Sequence, residues 1–451
     1  MYSTSSSDLE INEQFKKALD LMNGSFQNIF ITGKAGTGKS SLLTYFLKQN
    51  KKPIAVLAPT GVAALNVQGE TIHSFFKFSP NINPEMAAKK GKQQSKNNLY
   101  KNLKTIIIDE ISMVRADLLD CIDEFLQAAK NLYEPFGGVQ MIFIGDLYQL
   151  PPVVIGAEKQ YFSSFYKSAW FFDANVFSHH NFRIEYIELD KIYRQKDTDF
   201  IEILNAIRTN KAESDHISTI NQRLGLRSDD DTICLTSTND KANTINQERL
   251  LKLSDKSISF KAASKGDVEL KQLPTEKSLG LKVGAQVMFV NNDSAGRWVN
   301  GTIGKVKHIE KNLILVEIVD GEVVEVTPHT WDIYKHDHDD QTNSLKQITV
   351  GSFTQMPVKL AWAITIHKSQ GKTFSRVKID LGAGSFASGQ TYVALSRCQS
   401  LEGISLASPI RASDIQLDWR IEKFLDTLKN PNPKIVDPFE VVEDYVDDFW
   451  E

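Results

Sequence analysis

The stretch Gly33-Lys34-Ala35-Gly36-Thr37-Gly38-Lys39-Ser40 matches the pattern G-x-x-x-x-G-K-[ST]. The apolar run 28–32 precedes it and predicts a buried strand, and residues 41–47 follow it and predict a helix. In this setting the glycines let backbone N–H groups turn inward around an anion, and the helix directs its positive dipole end toward the same point. The stretch therefore predicts a nucleoside triphosphate site in an α/β domain.

Two side chains of this stretch have predicted roles in the site. Lys39 is expected to reach the outer phosphates of ATP, and the Ser40 hydroxyl is expected to ligate Mg²⁺. The alternative is a glycine-rich turn without a ligand, but the bare pattern arises by chance in only about one such chain in a hundred. The predicted ATP-binding residues of this stretch are Gly33, Ala35, Gly36, Thr37, Gly38, Lys39, Ser40 and Ser41.

Length and cysteine usage restrict the class of protein. A chain of 451 residues is expected to form about two to four domains with a large core. Cys121, Cys234 and Cys398 lie far apart without a C-x-x-C pair, which argues against a disulfide framework or a zinc site. The cysteine pattern favours a reducing cytoplasm or nucleus, and because the sequence starts without a secretory leader pattern and has no apolar stretch of membrane length, we expect a soluble protein.

The distribution of charge is uneven along the chain. The formal net charge is −4, but residues 437–451 contain seven acidic residues and no Lys or Arg, so subtracting −7 leaves +3 for residues 1–436. A mildly basic body is compatible with a DNA or RNA partner but does not demonstrate one. The acidic tail also carries aromatic side chains, which makes it a candidate protein-binding segment, with a frayed terminus as the alternative.

Apolar runs predict the division into domains. Those at 53–58, 104–109 and 139–145 suit central strands of a parallel sheet. A second α/β set begins near 183–189, continues at 232–236 and resumes at 376–381. Inside it, short β-type runs are separated by the tight turns Asn300-Gly301 and Asp320-Gly321. The predicted units are a first α/β domain (1–182), a second (183–430), an inserted β-barrel (297–350) and the acidic tail (431–451).

Two segments at predicted strand ends carry hydrolytic chemistry. Asp109 is expected to hold Mg²⁺ through water, and Glu110 is expected to orient and deprotonate the attacking water, with a further part in the metal site. The alternative for this pair is a solvated strand end. Gln149 is predicted to hydrogen-bond the γ-phosphate or the water, against the alternative of a simple turn ended by two prolines.

Two arginines of the second α/β set are further catalytic candidates. Arg194 and Arg397 would meet the γ-phosphate if the two domains face each other across a cleft. An arginine supplied in this way accelerates hydrolysis by about a thousandfold or more. Taken singly, each arginine is more often part of a surface ion pair.

The order of these segments resembles superfamily 1 helicases and, within them, the petite-integration-frequency (Pif) helicases of the RecD-like group. Asp117-Leu118-Leu119-Asp120, shortly after IDEISM, is similar to a signature segment of that family, and Gln14 resembles its upstream glutamine that reads adenine. The segments that carry the resemblance are GKAGTGKS (33–40), APTGVAA (58–64), IDEISM (108–113), GDLYQLPP (145–152), YRQ (193–195), IHKSQG (366–371) and YVALSR (392–397).

The resemblance implies a fold, an activity and further site residues. It implies two RecA-like P-loop NTPase domains, with a Src-homology-3-like barrel inserted in the second and a small duplex-parting wedge at about 61–80. It also implies ATP hydrolysis with Mg²⁺, translocation 5′→3′ on single-stranded DNA, and contact of Gly371 with the nucleotide. The predicted DNA contacts are Thr60, Gly61, His73, Phe75, Phe76, Thr236, Asn239, His367, Lys368 and Ser369. For Phe75 and Phe76, core packing is an equal alternative.

The sequence therefore predicts an ATP-dependent DNA helicase that unwinds duplex or structured DNA at single-strand/double-strand junctions in genome maintenance. We expect a bacterial, nucleoid-associated protein that is a monomer in solution, with a dimer on DNA as a further expectation. The alternative is a P-loop ATPase switch or protein remodeller that has no nucleic-acid track.

Overall fold

The structure is a computed structural model. It describes residues 11–50, 54–154, 158–195, 197–227, 232–266, 273–318, 321–339 and 344–430, and the side chains of 159–161, 334–339 and 344–348 are not described. The predicted acidic tail lies outside these ranges.

Helices and strands alternate through most of the described chain. The helices are α1 (Glu13–Gly24), α2 (Lys39–Gln49), α3 (Gly61–Asn66), α4 (Ile72–Phe75), α5 (Pro84–Gln93), α6 (Asn98–Asn102), α7 (Ala116–Lys130), α8 (Glu158–Phe165), α9 (Thr198–Arg208), α10 (Ser214–Asn221), α11 (Asn239–Lys252), α12 (Gln390–Leu395) and α13 (Trp419–Lys429). The first seven strands in chain order are β1 (Asn28–Gly33), β2 (Ile54–Ala58), β3 (Glu70–Thr71), β4 (Thr105–Ile108), β5 (Gln140–Ile144), β6 (Ile184–Leu189) and β7 (Ile233–Thr236).

The remaining strands include the whole of the antiparallel region. They are β8 (Ile258–Lys261), β9 (Ala263–Gly266), β10 (Ser278–Leu281), β11 (Gln286–Phe289), β12 (Ile303–Ile309), β13 (Ile314–Ile318), β14 (Val323–Val326), β15 (His329–Asp339), β16 (Ser344–Gln355), β17 (Val358–Leu360), β18 (Ala363–Thr365), β19 (Val377–Asp380) and β20 (Ile404–Leu406).

The first sheet is parallel, with strand order β3-β2-β4-β5-β1-β6. The central strands β1, β4 and β5 are apolar and almost fully buried, as expected for strands covered on both faces. Their carboxyl ends lie at one edge, and the loops at that edge form the ligand crevice of such a sheet. This edge carries the phosphate-loop stretch after β1 and the Asp109 segment after β4.

One predicted domain boundary is wrong. Residues 183–189 were assigned to the second α/β domain, but β6 pairs in parallel with β1 over six residues, from Asn28 with Ile184 to Gly33 with Leu189. The apolar run correctly predicts a strand, and its partner is set by tertiary packing that the local pattern does not encode. The first sheet therefore extends to Leu189.

The second parallel sheet has the order β18-β7-β19-β20, so the two parallel sheets of the predicted fold are confirmed. The last described helix, α13, packs against the first sheet. The ring of Phe424 on α13 stacks on Phe172 with centroids 4.4 Å apart and lies 6.2 Å from Phe30 of β1. The first and second lobes are the two parallel sheets with the helices that cover them, and this packing places α13 against the first lobe.

The antiparallel region lies between β7 and β18. Five strands form a sheet in the order β14-β13-β12-β11-β17, and a separate sheet has the order β15-β16-β9. The predicted barrel at 297–350 is therefore too short at both ends, because β11 begins at Gln286 and β17 ends at Leu360. The β15–β16 hairpin contacts α4 and α6 of the first lobe. Among the described residues, no helix is both long and apolar enough to span a membrane.

Candidate functional site

The loop between β1 and α2 has the backbone of a phosphate cradle. Gly36 and Gly38 both have φ of +86°, a conformation that residues with a side chain rarely adopt, and Gly38 caps the first turn of α2. The segment after β6 lies against this loop: the Tyr193 N–H donates to the Gly36 carbonyl at 2.9 Å. A Cβ added at Gly36 would lie 2.6 Å from the Cβ of Arg194, so only glycine permits this approach.

Lys39 lies at the mouth of the cradle. Its ammonium group donates to the carbonyls of Gly33 at 2.7 Å and Lys34 at 3.1 Å. Burial lowers the pKa of Lys39, although the charges of Asp146 and Glu110 oppose that shift. Ser40 and Ser41 are exposed in the first turn of α2. The ammonium and the hydroxyls are therefore available to a triphosphate without rearrangement of the fold.

A tyrosine of the second lobe enters the cradle. The backbone N–H of Ala35 donates to the Tyr392 hydroxyl oxygen at 2.9 Å, and both residues are buried. Tyr392 lies on α12, between β19 and β20 of the second parallel sheet. Burial raises the pKa of Tyr392 to about 12, so the hydroxyl remains protonated at neutral pH. This hydrogen bond joins the phosphate loop directly to the opposite lobe.

Two adjacent carboxyl groups follow β4. Asp109 is 8 % exposed, and burial together with the neighbouring Glu110 raises its pKa to about 7. Burial also raises the pKa of Glu110, against the favourable charges of Lys39 and Arg397. Such an acid pair in a water-poor site has the proton affinity that general-base chemistry requires.

Both predicted arginines reach the same cleft. Arg194 donates to the Ser396 carbonyl at 3.1 Å, and its charge acts on Glu110. Arg397 is 1 % exposed and donates to the Val393 carbonyl at 2.9 Å and to the Ser396 hydroxyl at 2.8 Å. Burial and the nearby Arg194 lower the pKa of Arg397 to about 9. Two cations are thus held close together in a buried site, which suits a polyanionic ligand.

Sequence reasoning missed a buried ion pair beside Gln149. Arg208 donates to Asp146 at 3.2 Å, and its guanidinium lies 3.9 Å from the Tyr148 ring centroid. Gln149 donates to Asp146 at 3.3 Å and accepts from Gln370 at 3.4 Å. Gln149 therefore lies between the two lobes, as a reporter of nucleotide state requires. Arg208 is basic in the last turn of an amphipathic helix, which is common, so it carried no sequence signal.

Two predicted nucleotide contacts lie further out. Gln14 donates to the Asp190 carboxylate at 3.0 Å, on the loop after β6, and Asp190 acts electrostatically on Lys34 of the cradle. Gly371 follows Gln370 with φ of +74°, and a Cβ added there would meet no atom within 4 Å. The roles of both residues in binding nucleotide stay predictions.

Six predicted DNA contacts lie at least partly on the surface. Thr60 caps α3 by accepting from the Ala63 N–H at 3.2 Å, and Val62 in the first turn of α3 is exposed. The others with exposed or half-buried side chains or backbone are Gly61, His73, Asn239, His367 and Lys368. They belong to loops and helix starts at the carboxyl ends of β2, β7 and β18 or close to them.

The structure corrects four predicted DNA contacts. Phe75 and Phe76 are 3 % and 1 % exposed and pack around Phe125 and Tyr100, so the core-packing alternative describes them. Thr236 is fully buried and its hydroxyl donates to the Thr238 carbonyl at 3.0 Å. Ser369 is also fully buried. The spacing of residues along a segment does not show which of its side chains face outward.

The residues present fit ATP and Mg²⁺. The cradle has two glycines with positive φ at the start of a helix, an ammonium group and a nearby acid pair. The Ser40 hydroxyl and the Asp109 carboxylate supply oxygen atoms, which are the ligands that Mg²⁺ prefers.

Comparisons with known proteins find relatives among DNA helicases. A PIF1-like helicase family model matches residues 10–217. The chain is 32 % identical to the ATP-dependent DNA helicase Pif1 of Bdellovibrio bacteriovorus over 88 % of each chain. It is 36 % identical to the human ATP-dependent DNA helicase PIF1, over 89 % of this chain and 62 % of the human protein. The chain therefore spans about three fifths of the length of that human relative.

Solved structures of a Bacteroides Pif1 are similar over the whole fold. The unliganded form is 37 % identical, with a TM-score of 0.82 over 94 % of this chain and 98 % of that one. The form with ADP-AlF4 also has a TM-score of 0.82, whereas the form bound to single-stranded DNA has 0.66 at similar coverage. The arrangement described above is thus closer to the two forms whose names include no DNA.

Proposed function

Because this chain belongs to the PIF1-like helicase family, we propose that it is an ATP-dependent DNA helicase that moves 5′→3′ along single-stranded DNA. The observation that carries the proposal is the contact between the phosphate loop and the opposite lobe. Ala35 bonds Tyr392 of α12, and Arg194, on the segment that lies against Gly36, donates to the Ser396 carbonyl of the opposite lobe. A nucleotide bound in this cleft touches both lobes, so its hydrolysis changes how they are held.

The hydrolytic step follows from the charges in the cleft. When ATP binds, Lys39 exchanges the carbonyls of Gly33 and Lys34 for the outer phosphates. Glu110 holds the attacking water and accepts its proton, because burial gives this carboxylate a raised pKa. Arg194 and Arg397 stabilise the negative charge that develops on the transferred phosphoryl group. A bound Mg²⁺ supplies charge neutralisation and orientation of the phosphate oxygens.

Movement along DNA follows from the loss of the γ-phosphate. That phosphate is shared by Lys39 and Gln149 on one side and by Arg194 and Arg397 on the other. Its release frees the lobes to separate, and their grips on the strand alternate. The strand runs over the open start of α3 in the first lobe and over Asn239, His367 and Lys368 in the second, with phosphate contacts that are largely independent of sequence. We assign the wedge to 61–80, where α4 meets the β15–β16 hairpin.

Unwinding of forked duplexes tests the proposal. Forks with only a 5′ tail or only a 3′ tail are incubated with ATP and the wild-type chain, and strand separation is measured. We expect opening with the 5′ tail and none in the Lys39→Ala variant. Opening only with the 3′ tail overturns the polarity, and no opening with either tail overturns the helicase assignment.

The setting of this activity is part of the same proposal. We place the protein in genome maintenance at the bacterial nucleoid, which the bacterial relatives support. We propose that the protein is a monomer in solution and that two copies pair on DNA. The acidic tail at 431–451 is assigned a protein-binding role, and its removal without any change in partners or DNA affinity rejects that assignment.

A further inference from the structure

Three lysines converge where the antiparallel region meets the second parallel sheet. Lys359 lies on β17, opposite Met288 of β11. Lys368 and Lys372 lie on the loop after β18. Lys372 is 8 % exposed, whereas Lys368 is exposed. The cluster formed by these three residues is called the lysine cluster below.

The lysine cluster has uncompensated positive charge. The influences on the pKa of Lys359 are its burial and the ammonium groups of Lys372 and Lys368, and together they lower it to about 7. Burial lowers the pKa of Lys372 to about 8. Within the described ranges, no carboxylate forms an ion pair with any of the three side chains. Burying several like charges close together is energetically unfavourable, and such clusters of cations are typical of a site that binds an anion.

A neutral amide occupies the cluster in this structure. Lys372 donates to the side-chain carbonyl of Asn300 at 2.5 Å. The amide nitrogen of Asn300 donates in turn to the Asn66 side chain at 3.0 Å, at the last residue of α3. Asn300 thus joins the first lobe, the antiparallel region and the second lobe through one side chain. An amide oxygen leaves the ammonium charge unneutralised, so a phosphate oxygen is the stronger partner.

The position of the cluster indicates the anion. Lys368 adjoins His367, a surface residue on the proposed DNA path, and α3 begins at Gly61 on the same path. Six residues of helix span about 9 Å, so Asn66 lies within about one helix length of that start. We propose that Lys359, Lys368 and Lys372 bind a backbone phosphate of single-stranded DNA, and that Asn300 holds this site closed until the strand displaces it.

This inference rests on the proposed function. It adds a binding site for a DNA phosphate and a side chain, Asn300, that blocks this site until DNA binds. When the strand enters, a phosphate oxygen replaces the Asn300 carbonyl at Lys372. The link from Asn300 to Asn66 then no longer ties Lys372 to α3, and the antiparallel region is released from one of its contacts with the first lobe. DNA binding and the position of that region are therefore coupled through a single exchange of hydrogen-bond partners.

Salt-dependent DNA binding tests the site. The affinity of nucleotide-free protein for a fluorescent oligo(dT) is measured over a range of KCl concentrations. For single strands, the slope of log affinity against log salt is about 0.7 per phosphate contact, so Lys359→Gln and Lys368→Gln should each make the slope shallower by up to about that amount. We expect affinity to fall about tenfold at moderate salt, as for the loss of a charge-assisted hydrogen bond. Lys305→Gln removes the same charge from exposed strand β12 and should leave slope and affinity near wild type.

Two substitutions test whether the Asn300 side chain competes with DNA for Lys372. Asn300→Asp gives Lys372 a carboxylate partner and should weaken DNA binding. Asn300→Ala frees Lys372 and should strengthen it. A merely structural Asn300 would weaken binding in both variants.

The outcomes separate this inference from the proposed function. If wild type does not bind oligo(dT) at all, the proposed function fails. If wild type binds but Lys359→Gln and Lys368→Gln keep its slope and affinity, the phosphate site is wrong. If Lys305→Gln lowers the slope and the affinity as much as Lys359→Gln does, the effect reflects the net charge of the protein and the phosphate site is wrong.

Discussion

The Tyr392 hydroxyl accepts a hydrogen bond of 2.9 Å from the backbone N–H of Ala35, so the phosphate loop of one lobe is bonded to a helix of the other. The hydroxyl is buried and protonated, and it lies in the electrostatic field of Asp146, Arg208 and Arg397. We expect a phosphate that enters the cradle to compete with the Tyr392 hydroxyl for the Ala35 N–H. The two residues therefore connect nucleotide occupancy to the relation between the lobes.

Tyr392→Phe removes that contact and keeps the ring. Without nucleotide, the free energy of unfolding should fall by about 1 kcal/mol, because one buried hydrogen bond is lost. The coupling between DNA binding and ATP hydrolysis should weaken as well, so single-stranded DNA should stimulate hydrolysis less than in wild type. Chemical denaturation and steady-state hydrolysis measure the two effects. Tyr45→Phe, whose ring packs on Phe15 outside the cleft, is the matched control; equal effects in both variants would contradict the role of Tyr392.

Glu110→Gln should bind ATP but hydrolyse it slowly. The amide keeps the size of the side chain and cannot accept the proton of the attacking water. We expect kcat to fall by about 10²- to 10⁴-fold, with the Kd for ATP within a few-fold of wild type. Single-turnover hydrolysis and equilibrium nucleotide binding measure this separation. Glu124→Gln on α7 is the control, and unchanged turnover in Glu110→Gln would reject Glu110 as the general base.

Arg194→Ala should impair the chemical step more than nucleotide binding. The guanidinium acts on the developing phosphoryl charge, and its loss should lower kcat by about 10³-fold. The protein should remain folded, because the main-chain hydrogen bond from Tyr193 to Gly36 is independent of this side chain. Arg183→Ala, just before β6, is the control. If Arg194→Ala raises KM and leaves kcat unchanged, the residue serves binding alone.

DNA affinity should decrease as the pH rises from neutral. Without DNA, the pKa of Lys359 is about 7 and that of Lys372 is about 8, against an ordinary value of 10.5. A bound phosphate favours the charged lysines and raises both pKa values, so binding takes up protons. Burial lowers the pKa of the neighbouring His367, which moves its titration away from the alkaline side of this range.

Oligo(dT) titrations at constant ionic strength, between about pH 6.5 and about pH 8.5, measure this dependence. The affinity for oligo(dT) should be highest at the lowest pH of this range and should fall as the pH rises. The fall should be shallower in Lys359→Gln, whereas Lys305→Gln should behave as wild type. A pH-independent affinity in wild type would contradict the assignment of the lysine cluster.

Much of the fold was predictable because its central strands are short and apolar, and because the loops after β1 and β4 contain recognisable sequence motifs. The runs that became β1, β4 and β5 are buried on both faces, and this pattern alone indicates a parallel sheet. The strand β6 was predicted as a strand but assigned to the wrong sheet. Its pairing with β1 depends on how the chain returns from α8, which leaves no local pattern.

The candidate site was predictable where residue type and position coincide at a strand end. Lys39 and Glu110 belong to such segments, and the structure brings them within electrostatic range of each other. Tyr392 and Arg208 were missed as site residues, because a tyrosine or a basic residue on a helix has many ordinary uses. Conversely, Phe75 and Thr236 are predicted DNA contacts because of the segments they belong to, but their side chains are buried in the core.

The measurement that tests the central claim most directly is ATP hydrolysis with and without single-stranded DNA. If loss of the γ-phosphate moves two lobes that grip a strand, oligo(dT) should stimulate steady-state hydrolysis severalfold or more in wild type, and Lys39→Ala should show no turnover in either condition. Lys48→Ala, at the other end of α2, should behave as wild type. Hydrolysis that is unaffected by single-stranded DNA across lengths and salt concentrations would contradict the account and favour an ATPase switch without a nucleic-acid track.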